Sequence, residues 1–172
     1  MTRINSSVIS LSGGFTDIDG YSARTYFFNE ESQAWTQGPD MNKAREFHGC
    51  SLMRNAGKQY LIVAGGYDVN DKMMNSVELL EIGSATWVKG PALPEPMSEF
   101  EMVVSPDSTG VIVIGGYDAT SMRGFRNEVL EFKCESSVDS CVWKTILTLK
   151  AQRGYFIAIP IDREILKCQE QN

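Results

Sequence analysis

Apolar residues along this chain come in short runs rich in Val, Ile and Leu, each cut off by Gly, Pro, Asn, Asp or Ser. Runs of this kind predict β-strands joined by tight turns, and no segment reads as a helix. Three runs, at 7–11, 60–64 and 111–114, lead into the glycine pairs Gly13-Gly14, Gly65-Gly66 and Gly115-Gly116, and an aromatic follows each pair: Phe15, Tyr67 and Tyr117. The pairs are 52 and 50 residues apart. Two tryptophans keep one interval, Trp35 and Trp87 lying 21 positions after the second glycine of their pairs; Trp143 lies 27 after its own, so the third repeat is longer.

The match continues downstream. Gly38-Pro39 and Gly90-Pro91 stand three and four positions after Trp, and Met41, Leu93 and Leu149 stand at plus six. Arg45, Met97 and Arg153 follow at plus ten, and His48, Phe100 and Phe156 three positions later. Agreement at so many offsets means an internal repeat of about 50 residues. One unit holds four short strands, at about 46–52, 59–64, 76–82 and 86–89. The run before the glycine pair suits a strand covered on both faces, whereas the mixed tryptophan strand suits an outer position. Such a unit cannot bury both faces alone and has to stack on its neighbours, as a propeller blade does.

These residues resemble the kelch motif, in which a Gly-Gly pair closes the second strand, an aromatic stands seven residues before a Trp, and that Trp opens the fourth strand. Phe28 and Leu80 lie seven before Trp35 and Trp87, and Phe132 lies eleven before Trp143; Leu80 departs from the usual aromatic. The resemblance covers nearly the whole chain. It implies an all-β fold, a β-propeller of four-stranded antiparallel kelch blades, commonly about six to a ring. Gly13, Gly14, Gly65, Gly66, Gly115, Gly116, Trp35, Trp87 and Trp143 are then structural. Glycine after a buried strand takes positive φ and allows close approach, making room for an indole at the blade interface.

Residues 1–172 read as a single kelch-repeat region. Residues 1–37 supply the second to fourth strands of one blade, 44–90 and 97–147 supply two blades, and 154–168 begin a further one. Some three and a half blades make an incomplete ring, since closure takes at least about four. The expected apolar blade faces and strand edges call for cover, either by missing propeller blades of a larger protein or by a second copy of the chain.

Charge narrows the partners. Sixteen Lys and Arg against 22 Asp and Glu give a formal net charge of −6, which argues against generic binding to nucleic acid or to an anionic membrane. No apolar stretch approaches the roughly 20 residues of a membrane helix, and residues 1–10 lack the continuous apolar segment of a secretory signal.

Candidate chemistry is sparse. The resemblance raises an oxidase alternative, because some kelch propellers resemble copper radical oxidases such as galactose oxidase. A site of that kind requires more than one imidazole together with tyrosine oxygens, and His48 is the one histidine. Ser/His/Asp catalysis would need the same residue, without a Gly-x-Ser-x-Gly elbow. Asp17, Asp19, Asp68, Asp71 and Asp118 follow the glycine pairs without the spacing of a calcium hand, and read as turn-forming carboxylates. No catalytic residue, metal or cofactor is expected.

Cys134 lies two after Phe132 and Cys141 two before Trp143, on either side of a hairpin four residues longer than in the other repeats. They form either a cross-strand disulfide, worth about 2.5 kcal/mol for so short a loop on chain-entropy grounds, or two reduced thiols. The first implies an oxidising, extracellular compartment and the second a cytoplasmic one. Cys50 and Cys168 belong to different blades and read as separate.

In kelch proteins that resemble substrate adaptors, the residues after the glycine pairs and those at the arginine position converge on one rim and form a peptide pocket. The resemblance carries that role to Arg45, Tyr67, Tyr117, Arg153 and Phe15, with Met97 departing from Arg. Arg with Tyr suits a polar or acidic peptide or protein. In the competing reading the arginines only brace adjacent loops. The expected function is a non-catalytic protein–protein interaction module; no BTB or other dimerising domain accompanies the repeats.

Overall fold

A computed structural model describes residues 1–118 and 124–159. Fourteen strands form among them: β1 (Thr2–Arg3), β2 (Val8–Ser12), β3 (Phe15–Thr16), β4 (Gly20–Tyr21), β5 (Thr25–Asn29), β6 (Ala34–Gln37), β7 (Gly49–Asn55), β8 (Lys58–Ala64), β9 (Val77–Glu81), β10 (Val88–Gly90), β11 (Glu101–Val104), β12 (Gly110–Ile114), β13 (Glu128–Cys134) and β14 (Cys141–Thr148). They build three four-stranded sheets, β1-β2-β5-β6, β7-β8-β9-β10 and β11-β12-β13-β14, while β3 and β4 make a small hairpin of their own. Every pairing is antiparallel. Among the described residues there is no α-helix, and one 3₁₀ turn (Val138–Ser140) lies in the β13–β14 hairpin.

Three details differ from the sequence reading. The first sheet has an inner strand: Thr2 and Arg3 pair with Ser10 and Ile9, and a two-residue strand carries no alternation to detect. In the second sheet the inner strand starts at Gly49 rather than 46, because Phe47 turns to a φ of 50° and breaks the extended backbone. Residues 154–159, expected to open a further blade, form no strand, and 160–168 lie outside the described residues.

The offset between aromatic and tryptophan, seven residues in the first sheet and eleven in the third, is a cross-strand pairing. Phe28 faces Trp35 and Phe132 faces Trp143 in register, with ring centroids 5.0 and 4.7 Å apart. β8 lies between β7 and β9 and is covered on both faces. Ile62 and Ala64 join Leu79, Met102, Val113 and Phe132 in the larger apolar cluster, whereas Leu61 and Val63 join Met41, Leu80 and Trp87 in the smaller.

Repeated hydrogen bonds lock each sheet to the next. Gly14 N–H donates to Arg45 O (2.8 Å), Gly66 N–H to Met97 O (2.9 Å) and Gly116 N–H to Arg153 O (2.9 Å). Trp87 Nε1 donates to Pro39 O (2.9 Å), and Trp143 Nε1 to Pro91 O (3.0 Å). The glycines therefore make room for a neighbouring carbonyl rather than for an indole. A Cβ at Gly65 would collide with Met97 O, and one at Gly66 with Glu46 O.

Cys134 and Cys141 are register partners joined by a disulfide at the mouth of the enlarged hairpin. Inside it, Ser140 Oγ accepts from the N–H groups of Glu135, Ser136 and Ser137 (3.2, 3.0 and 3.1 Å). Converting both cysteines to serine should lower stability by about 2.5 kcal/mol, read as a shifted urea midpoint. Peptide mapping without reductant should recover the linked fragment; recovery of both thiols alkylated from oxidised protein would contradict the pairing. Among the described residues Cys50 has no disulfide partner; the Thr2 hydroxyl donates to its carbonyl (3.2 Å), and burial pushes its thiol pKa up.

Candidate binding rim

Alternating strand directions bring two sets of segments to one end of the sheets: the second-to-third-strand loop residues 13–24, 65–76, 115–118 and 124–127, and the entry segments at 38–48, 91–100 and 149–159. The two sets are hydrogen-bonded together. Tyr67 N–H donates to Glu46 O (2.9 Å) and Glu46 N–H to Tyr67 O (3.2 Å); Tyr117 and Ser98 exchange the same pair (2.8 and 3.0 Å). Tyr67 and Tyr117 are thus each held beside an incoming segment. Glu99 N–H donates to Phe47 O (3.1 Å), which joins two entry segments to each other.

The entry segments share an uncommon backbone state. Phe47, Glu99 and Tyr155 stand two residues after Arg45, Met97 and Arg153, and their φ values are 50°, 56° and 54°. Left-handed backbone costs a non-glycine residue about 1–2 kcal/mol. It recurs here at one position of three repeats and leaves Phe47 and Tyr155 55% and 73% exposed, with Glu99 half-buried.

These side chains meet the tyrosines after the glycine pairs. Phe47 packs edge-on against Tyr67 with centroids 6.4 Å apart, Tyr117 against Phe125 at 5.9 Å, and Phe125 against Tyr155 at 6.1 Å. The Tyr155 hydroxyl hydrogen-bonds the Glu99 carboxylate, which raises the Tyr155 pKa; desolvation, the charge of Glu99 and the neighbouring Tyr67 and Tyr117 add to that rise.

Arg45 is not part of this surface. Its side chain is fully buried; Nη1 donates to Gly65 O (2.9 Å) and Ser76 O (3.1 Å), and Nη2 to Ser76 Oγ (3.2 Å) and Glu78 Oε1 (2.8 Å). Burial lowers the arginine pKa while Glu78 works against that shift. Glu78 also accepts from Asn42 N–H and Nδ2 (2.7 Å each) and from Lys43 N–H (3.2 Å). Arg45 is therefore a brace that ties the entry segment to its own sheet. In the third sheet the two positions hold Met97 and Leu130, both inside the apolar cluster: Leu130 faces Val113 as Glu78 faces Val63, each two residues before a glycine pair.

Of the other expected rim residues, Tyr67 and Tyr117 come together near Tyr155, and Arg153 is exposed two residues before it. Phe15 is 62% exposed and packs edge-on against Tyr21 (5.5 Å), whose hydroxyl donates to Asp71; among the described residues no ring contact joins Phe15 to Tyr67. Phe47, Glu99, Phe125 and Tyr155 escaped the sequence reading, although the plus-two offset from the arginine position marks three of them. Asp68 accepts from the N–H groups of Asn70 and Lys72 (2.9 and 3.1 Å), which holds its carboxyl below the usual range, as a turn former would. Burial and the nearby Arg45 charge pull the His48 pKa down to about 3, so its ring is neutral at pH 7, with Nδ1 buried and unpartnered among the described residues.

Four-stranded meanders tied to one another through glycine pairs and tryptophans, with their variable loops gathered at one end, define an incomplete β-propeller of kelch-type blades. No family model matches the chain. It is 28% identical over 107 residues to the F-box/kelch-repeat protein SKIP20 of Arabidopsis thaliana, covering 60% of this chain and 24% of that protein. It is 29% identical over 96 residues to alpha-scruin of Limulus polyphemus, covering 55% of this chain and 10% of that one. The chain thus matches a small part of either relative. The solved structure of YjhT superposes with a TM-score of 0.64 at 11% identity, over 87% of this chain and 51% of YjhT, a likeness of fold.

Proposed function

We propose that the chain is a non-catalytic protein-interaction module whose rim holds a segment of a partner protein. The observation that carries this reading is the set of partly exposed rings, Phe47, Tyr67, Tyr117, Phe125 and Tyr155, of which Phe47 and Tyr155 stand at a strained backbone position that recurs in the repeats. Rigid aromatic faces supply much contact area at low entropy cost and dominate binding energetics at protein interfaces. Strain kept at one position of successive repeats points to use of the side chains displayed there. The kelch-repeat relatives support an interaction role at the level of the class.

The oxidase alternative gains no support from the donor set. Its chemistry needs more than one imidazole, and the single histidine is wedged beside Gly13 and Gly66 rather than facing the rings.

A photo-crosslinking residue at Tyr67 or Tyr117 should capture the partner, whereas one at Ser84, in the β9–β10 turn at the opposite end, should not. Tyr117→Ala should weaken capture by about 1–3 kcal/mol with an unchanged circular dichroism spectrum. Equal crosslinking from Ser84 would place the contact elsewhere.

A further inference from the structure

We infer that the rim recognises a cationic side chain of the partner, the ammonium of a lysine or a methylated lysine, with the Glu99 carboxylate as its counter-ion and the surrounding rings as its walls. This rests on the rim reading above and replaces the acidic partner first expected from Arg45 and Arg153.

Three observations converge on it. Glu99 Oε2 is buried and has no hydrogen-bond partner among the described residues, although Tyr155 already serves the same carboxylate. A carboxylate oxygen shut away from water without a donor is costly, and a turn of the half-buried Glu99 side chain towards an incoming N–H group removes that cost. The walls are aromatic: Tyr155 contacts Glu99 and continues through Phe125 to Tyr117, while Phe47, bonded through its carbonyl to Glu99 N–H, continues to Tyr67. Ring faces carry negative quadrupole potential, and an ammonium among several of them gains cation–π attraction that a neutral group of the same shape does not. Lastly, two of the arginines that would repel such a ligand or attract an acid are engaged. Arg45 is closed inside against Glu78 (2.8 Å), and Arg126 is paired with Asp118 (2.9 Å) and Glu128 (3.2 Å). Among the described residues Arg153 stays exposed beside the rings.

The test uses the full chain and three small probes, with the aromatic side-chain signals of Phe47, Tyr67, Tyr117, Phe125 and Tyr155 followed by NMR. The probes are acetyl-dimethyllysine methylamide, whose protonated amine keeps one N–H, its neutral isostere carrying an isopropyl group in place of dimethylammonium, and acetyl-glutamate methylamide. The cation should shift these signals saturably and bind about fivefold or more tightly than the isostere. Glu99→Gln, which keeps the side chain's shape, should erase most of that preference, and Arg153→Gln should strengthen cation binding. Equal binding of cation and isostere overturns the inference, and so does an unchanged preference in Glu99→Gln. Should the glutamate probe alone move the rings, the cation inference fails while the rim stands. Should no probe move them, the cation inference fails, and the crosslinks from Tyr67 and Tyr117 judge the rim separately.

Discussion

Replacing Gly66 with valine is expected to prevent folding. Gly66 sits at φ +86°, and a Cβ there would run into Glu46 O and come within 2.9 Å of His48 Cβ and 3.0 Å of His48 N. None of these can give way, because Glu46 O already accepts from Tyr67 N–H (2.9 Å) and Gly66 N–H is bonded to Met97 O (2.9 Å). A β-branched residue adds left-handed strain to a clash with backbone, which puts the loss at about 4–5 kcal/mol or more, most of a typical domain's stability. Gly14→Ala is the control. It has the same place in the first repeat and a φ of +96°, but nothing lies within 4 Å of its Cβ, so it should cost only the backbone strain of about 1–2 kcal/mol. Circular dichroism and urea titration separate the two; equal losses would mean that close approach is not what the glycine provides.

The buried ion pair gives the second large effect, and its sign depends on how it is removed. Arg45→Ala leaves Glu78 in the interior without its cation, and Glu78→Ala strands a fully buried guanidinium. Either single change should cost about 3–5 kcal/mol. The double change Arg45→Met with Glu78→Leu copies the pair that the third repeat already uses, Met97 and Leu130, and should recover most of the loss, since replacing a whole buried pair by apolar groups is close to neutral. The Asn42 and Lys43 N–H groups that also bond Glu78 set the remaining deficit. A double variant as unstable as the sum of the singles would show that the carboxylate matters for the loop at 42–45 rather than for the arginine.

Blades were legible because their signals are local and repeated. A glycine pair after an apolar run, and a tryptophan at a constant distance from it, follow from backbone geometry and cross-strand pairing within some 20 residues. The cysteine pairing was legible for the same reason, since Cys134 and Cys141 close one hairpin. Arg45 was ambiguous because its direction is decided by Glu78, a residue 33 positions away whose own burial only the packed sheets determine. The short strand Thr2–Arg3 and the turned backbone at Phe47, Glu99 and Tyr155 left no trace, because a two-residue strand has no period and bulky residues do not favour positive φ. The cluster around Glu99 was out of reach of sequence arithmetic, since it depends on loops from different repeats meeting at one end.

Phe47, Glu99 and Tyr155 occupy one conformational slot in three successive units, yet they are a hydrocarbon ring, an acid and a phenol. Framework and display are thereby separate variables: glycines, tryptophans and inter-sheet carbonyl bonds specify where the slot is, and the slot leaves its occupant's chemistry free. A change at Phe47 rewrites one element of the presented surface, whereas Glu99 and Tyr155, bonded to each other, change together. Because all three positions already tolerate non-glycine residues at positive φ, exchanges among them carry little added strain. On the rim reading proposed above, a small library confined to 47, 99 and 155 should therefore redirect partner choice while the unfolding midpoint stays nearly constant.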